Sequence, residues 1–163
     1  MRVTHELGGG LRLALRTLDT VEEMHALTVA NLERLRRWEA WALSDQTLEG
    51  TAAFTRGQLS EFIAGSVLPT VILSGDTIIG SASLRTDSST RTAELGYWID
   101  AAAEGRGVAT RACAALLTEV PSRGIRRVEI RTAVENVRSR RVAERLGFTR
   151  EGVLASALPL GDE

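Results

Sequence analysis

The stretch EGRGVAT, residues 104 to 110, sets two glycines around an arginine directly ahead of the helix-like run RACAALLTEV. A helix start carries unpaired backbone N–H groups and a partial positive charge, so a glycine-containing turn there can wrap a phosphate or pyrophosphate with bare backbone. Gly-x-Gly before a helix is also ordinary loop chemistry, and both the full G-x-G-x-x-G fingerprint and the Lys-Ser/Thr ending of a P-loop are missing. Glu94 lies on the strand-like ELGYWID that leads into the turn. Its carboxylate is either a general base, directly or through water, or a surface group paired with Arg91 or Arg131. Trp38 and Trp41 either wall an acceptor site or anchor the first two helices. His5 and His25 lack ligand-type neighbours at useful spacing, so no metal is expected.

These residues need a scaffold. LRLALRTL at 11–18 alternates apolar and polar residues like a half-buried strand, and a helix follows from about Asp19, with Met24, Leu27, Leu32 and Leu35 on its apolar side. A second, less regular helix covers about 47–65. Two β-branched runs around Ser74-Gly75-Asp76 predict a hairpin over 70–86, and ELGYWID forms the next strand. A helix over 107–120 closed by Pro121, a strand at 126–133, a helix at about 137–146 ending at Gly147, and a last strand near FTREGVL complete the order β-α-α-β-β-β-α-β-α-β. Antiparallel hairpins followed by a βαβ crossover predict an α/β (α+β) fold, a mixed sheet flanked by helices. The GGG at 8–10 precedes the first predicted strand and reads as a flexible lead-in.

The 163 residues suit one domain, 1–163, and are too few for two ordinary ones. A net charge of −1 argues against general nucleic-acid binding. All 20 basic residues are arginine, which together with abundant alanine suggests GC-rich coding and a bacterial source. The single cysteine, Cys113, excludes an internal disulfide and belongs to a helix's apolar side, as a core residue rather than a nucleophile. No export signal and no membrane span are read from the sequence, and the expected location is cytoplasmic.

The run from ELGYWID through EGRGVATRACAALL and RRVEIRTAVENVRSRRVAERLGF to TREGVL resembles the GCN5-related N-acetyltransferases (GNAT). The similarity is greatest to the branch that acetylates ribosomal-protein N-termini. NLERLRRWEAW at 31–41 resembles that branch's leucine-tryptophan segment and IIGSASL its third strand, so the resemblance covers about residues 11–154. It implies a GNAT fold, with a mostly antiparallel sheet whose central strand pair splays apart and takes pantetheine between the strands. It also implies acetyl-CoA (coenzyme A) as donor. By this resemblance Trp98 and Ile99 offer backbone partners to pantetheine, and Gly105, Arg106, Gly107, Val108, Ala109 and Thr110 surround the pyrophosphate. Asn136 and Ser139 match the branch's N-x-x-S, which places the asparagine near pantetheine and the serine as proton donor to the leaving thiolate. Without the resemblance they read as an N-cap and a polar residue of a helix's first turn. Arg138, Arg140, Arg141 and Arg145 either meet CoA phosphates or an acidic protein, or form a solvated face.

Two departures stand out. Glu104 occupies a place where the family has glutamine or arginine, and its carboxylate should repel pyrophosphate. The family also continues into a further strand beyond the one matching TREGVL, so that sheet edge is expected to be open or completed by a partner, a homodimer among the options. The implied activity is direct acetyl transfer to a primary amine, a protein N-terminus or a small molecule, with Ser139 and Glu94 as catalytic residues. An N-terminal amine, with a pKa of about 7.7 to 8.0, needs only a modest base. The alternative is a catalytically weak acyl-CoA-binding or regulatory domain; a nucleotide-binding protein using the same glycine turn is a third reading. Neither nucleic acid nor membrane is an expected partner.

Overall fold

The computed structural model describes residues 3–155. Six strands form one sheet in sequence order: β1 (Val3–Gly8), β2 (Leu11–Leu15), β3 (Val67–Ser74), β4 (Thr77–Asp87), β5 (Thr92–Ile99) and β6 (Arg127–Ile130). Every neighbouring pair is antiparallel except β5–β6, which is parallel and joined by a crossover through α4 (Val108–Leu117). Successive side chains on a strand point to opposite faces, and the sequence uses this twice. Leu13 and Ile72 join Leu84, Leu95, Ala112, Cys113 and Leu116 in a core under α4. Their neighbours Ala14, Val71 and Leu73 join Met24 and Ile78 on the opposite face, covered by α1 (Val21–Ala30) and α3 (Leu48–Ile63). Cys113 is a buried core residue, and desolvation pushes its thiol up to about 12, which keeps it protonated and inert.

The hairpin expected over 70–86 forms, with Leu73↔Ile78 after a bulge at Ile79. The bulge frees the Ile79 carbonyl to accept from the Asp100 N–H at 2.7 Å, which fixes where β5 ends. α5 (Val137–Arg145) follows β6, as expected, and stops before Gly147. No helix among the described residues is long and apolar enough to cross a membrane.

Three expectations are corrected. Gly8, Gly9 and Gly10 all have positive φ (82°, 62° and 79°) and make the turn of a β1–β2 hairpin, not a lead-in. The single first helix breaks at Asn31 into α1 and the short α2 (Leu32–Leu35), because Asn31 turns its side chain to the end of β5. The strand expected near FTREGVL does not form among the described residues. That segment touches β6 through Arg127, whose guanidinium donates to both oxygens of Glu151 at 3.0 and 2.5 Å. Residues 156–163, on which the expected open edge depends, lie outside the described residues.

Candidate active site

Parallel pairing of β5 with β6 runs from Thr92↔Arg127 to Leu95↔Ile130 and then stops, while β5 stays paired with β4 as far as Gly80↔Ile99. Among the described residues this pair lies at one edge of the sheet and not at its centre as expected; the two strands part there, and a cavity of about 150 Å³ opens. β5 supplies Glu94, Gly96 and Tyr97, the chain leaving β6 supplies Arg131 to Ala133, and α5 supplies Asn136 and Ser139 from its first turn. Trp38, Glu39 and Ala40 close it from the loop after α2.

The structure therefore brings Glu94, Asn136 and Ser139 together from separate stretches of sequence. Asn136 is the N-cap of α5, its Oδ1 accepting from the Ser139 N–H at 3.3 Å. The same bond fixes the first turn and aims Ser139 at the cavity. Ser139 Oγ is 3.0 Å from the Tyr97 hydroxyl, which donates to the Ser139 carbonyl at 2.9 Å. Burial pushes Tyr97 up to about 12, its Ser139 hydrogen bond working the other way, so it stays a neutral phenol at physiological pH. Glu94 is exposed at the cavity wall, and neither expected partner holds it: Arg91 donates to the Gly124 carbonyl, and Arg131 pairs with Glu129.

At the other end of the cleft, Gly105 and Gly107 have φ of 81° and 71°, and Gly107 is the N-cap of α4. A Cβ on either glycine would meet nothing within 4 Å, so conformation rather than crowding demands glycine and the space over the amides is open. The α4 ladder begins with Arg111 N–H to Gly107 C=O at 3.0 Å, so the turn presents the amides of Val108, Ala109 and Thr110. Thr110 Oγ1 is buried without a partner among the described residues. Open amides and an orphan hydroxyl at a helix start fit a diphosphate. Ile99 turns its carbonyl away from β4, where the Arg34 guanidinium donates to it. The Trp98 carbonyl instead faces Gly80 of β4, which corrects the expectation that both residues offer backbone to the cleft. The Trp98 side chain packs against Trp41 with ring centroids 6.4 Å apart.

Glu104 is held by two guanidiniums, Arg34 Nη1 at 3.0 Å and Arg138 Nη1 at 2.7 Å. Its charge is countered on both sides, so the repulsion expected of a carboxylate beside pyrophosphate is largely cancelled. Arg140 donates to the Val134 carbonyl at 3.0 Å, while Arg141 and Arg145 lie on the solvated face of α5. Trp38 lines the cavity, with the Arg37 guanidinium 5.2 Å over its ring, whereas Trp41, 42% exposed, packs against Trp98 outside the lining. Among the described residues no three metal-ligand side chains gather; His5 pairs with Glu119 and His25 with Thr51.

A six-stranded sheet with its parallel pair parted over a glycine turn is the arrangement of one acyl-transfer family, and the acetyltransferase (GNAT) domain matches residues 12–149. The chain belongs to the GNAT acetyltransferase family. It is 30% identical over 164 residues to the ribosomal-protein-serine acetyltransferase of Escherichia coli K12, covering 99% of this chain and 92% of that protein. Among solved structures, the GNAT fold here matches RimL, a ribosomal L7/L12 alpha-N-protein acetyltransferase in complex with coenzyme A. The TM-score is 0.92 and the identity 26%, covering 98% of this chain and 91% of that one. It also matches the microcin C7 self-immunity acetyltransferase MccE in complex with acetyl-CoA and AMP, with a TM-score of 0.88 and 28% identity over 95% of this chain and 87% of that one.

Two residues of this GNAT site escape sequence reading. Tyr97 is the chain's single tyrosine, on an inward position of the strand leading to the glycine turn, a signal that was available. Glu39 lies between Trp38 and Trp41, half-buried in the cavity wall, a place that no sequence pattern marks. That burial pushes its carboxyl up to about 7, while hydrogen bonding from the Trp41 side chain pulls the other way.

Proposed function

We propose that this GNAT acetyltransferase moves an acetyl group from acetyl-CoA directly to a primary amine, with a polypeptide N-terminus as the favoured acceptor and a small-molecule amine as the other. The observation that carries the reading is the cavity at the parting of β5 and β6, where Ser139, Tyr97 and carboxylates meet. Acetyl-CoA, when bound, supplies a thioester carbonyl as the electrophile. The amides of residues 105–110 and the Thr110 hydroxyl hold its diphosphate, and Asn136 and the open side of β5 line its pantetheine path. Ser139 Oγ gives a proton to the departing sulfur, oriented by Tyr97 on one side and by Asn136 through its backbone on the other. A carboxylate of the cavity wall, Glu94 being the sequence's candidate, takes the proton that the amine sheds. The RimL and E. coli relatives, named for ribosomal-protein acetylation, support the N-terminal acceptor, and a bacterial cytosol would supply both substrates.

Purified protein should show a thermal shift with acetyl-CoA and CoA but not with ATP or NAD. It should acetylate peptides with a free N-terminus and leave N-blocked, lysine-free peptides untouched. CoA binding without transfer to any amine would favour the weak acyl-CoA-binding domain instead. A shift with ATP or NAD and none with CoA would overturn the donor.

Arg34 and Arg138 spend their charge on Glu104 in this structure, so Glu104→Gln should release them toward the diphosphate. We expect CoA affinity to rise by about 3- to 10-fold, as two freed guanidiniums turn to the diphosphate, with a steeper salt dependence. Calorimetric titration at low and high salt checks this; an unchanged affinity would show that the Arg–Glu–Arg pairing is undisturbed by the cofactor.

A further inference from the structure

We infer that Glu39 is the general base of this transfer. The inference rests on the acetyltransferase reading given above. Glu39 sits in the cavity wall with Glu94, Tyr97, Arg131 and Ser139. Its backbone is fixed on both sides, the N–H donating to Leu35 at 2.8 Å and the carbonyl accepting from Ala42 at 3.1 Å. The side chain is therefore set on a tethered bend rather than a free loop. No ion pair among the described residues includes Glu39. The nearest cationic group of the cavity, Arg131, is engaged with Glu129. A half-buried carboxylate with no ion-pair partner among the described residues, in the wall of the cavity where the amine must lose a proton, has the geometry of a base.

Its surroundings set its strength. Desolvation is the main cause, pushing it up to about 7. The cavity that Glu39 lines is shared with Glu94 and Tyr97 from β5, Arg131 beyond β6, and Ser139 with Asn136 at the start of α5, and the Trp41 side chain bonds the Glu39 carboxyl. Tyr97 and Glu39 line the same cavity. An α-ammonium, at about 7.7 to 8.0, gives its proton to such a base more readily than a lysine ammonium at about 10.4, a difference that belongs to the amines themselves. The first proton passes from the ammonium nitrogen to a Glu39 oxygen, and the freed lone pair forms the N–C bond as the C–S bond breaks. The sulfur takes its proton from Ser139 Oγ, and the second proton of the now cationic nitrogen restores the Ser139 hydroxyl, leaving a neutral amide, a thiol and a protonated Glu39 that returns its proton to water.

The test compares Glu39→Gln, Glu39→Asp and Glu94→Gln with the wild type, using a free-N-terminal peptide and an aminooxyacetyl peptide whose amine is already neutral at pH 7. Glu39→Gln should lower kcat/KM for the ordinary peptide by about 100-fold at pH 7, yet leave the aminooxy acceptor within about 3-fold. Its pH profile should lose one of two ascending limbs, keeping the one that belongs to the amine. CoA affinity should not change, and Glu39→Asp should recover part of the rate. A full rate in Glu39→Gln, or an equal loss with both acceptors, would overturn the proposal, and a loss seen only in Glu94→Gln would assign the base to Glu94. No transfer by the wild type would defeat the acetyltransferase reading itself. A separate measurement needs no activity: because the folded carboxyl is raised, its stabilising protonation is present at low pH and lost as pH rises from about 4.5 to about 7. The wild type should therefore lose melting temperature across that window relative to Glu39→Gln, and parallel curves would mean that Glu39 does not titrate as the proposal requires.

Discussion

Ser139→Ala lowers kcat by about 100-fold or more, with CoA affinity within about 2-fold of wild type, if the hydroxyl donates the proton to the leaving sulfur. The substitution leaves the α5 cap intact, because Asn136 bonds the Ser139 backbone N–H, and it leaves the Tyr97 bond to the Ser139 carbonyl. Only Oγ is lost. A rate effect is therefore chemistry and not a misplaced helix, and stopped-flow measurement of the first turnover separates it from product release. Tyr97→Phe should give a smaller loss, about 10-fold, since it removes the group 3.0 Å from Oγ but not the donor. An unchanged kcat in Ser139→Ala removes the serine from the mechanism.

Gly80→Val should destabilise the fold by about 2 to 4 kcal/mol, lowering the melting temperature by roughly 5 to 15 °C, and weaken CoA binding together with it. Gly80 pairs with Ile99 on the strand that walls the cleft. A Cβ there would lie 2.6 Å from the Trp98 carbonyl oxygen and 3.1 Å from Ile99 Cα. Both are backbone atoms between paired strands, so relief requires β4 and β5 to separate where the Ile79 bulge and the Asp100 N–H fix the end of β5. Thermal unfolding checks the first effect and titration with CoA the second. A melting temperature within about 2 °C of wild type would show that β5 shifts readily, and the cleft would then be softer than its pairing suggests.

What the sequence disclosed depended on periodicity and on glycine. The 70–86 hairpin, the crossover through α4 and the start of α5 were legible because alternation and turn residues agree there. β1 was not, because VTHELG is an edge strand with few apolar residues, and three glycines in a row look like slack until their φ values show a turn. The break at Asn31 was hidden because apolar spacing runs on across it, from Met24 and Leu27 to Leu35; the cause is a long-range bond to Asp100. Ser139 and Asn136 were found through the N-x-x-S pattern, whereas Glu39 is made distinctive by its place in the cavity wall, which no local pattern encodes. Glu104 looked like a defect in sequence because Arg34 stands 70 positions away from it in the chain.

Asn31 joins α1, α2 and the end of β5 in one knot: its amide donates to Leu27 and Asp100, and its oxygen accepts from Ala101 and Arg34. Arg34 carries the connection on to Glu104 at the lip of the glycine turn. The wall that meets the acceptor and the loop that meets the donor thus share one set of tethers. Anyone exchanging the 32–46 segment between members of this family to alter acceptor choice should carry residues 100–104 along with it; a graft of the wall alone would arrive with its moorings cut and would disturb the donor loop it was meant to leave alone.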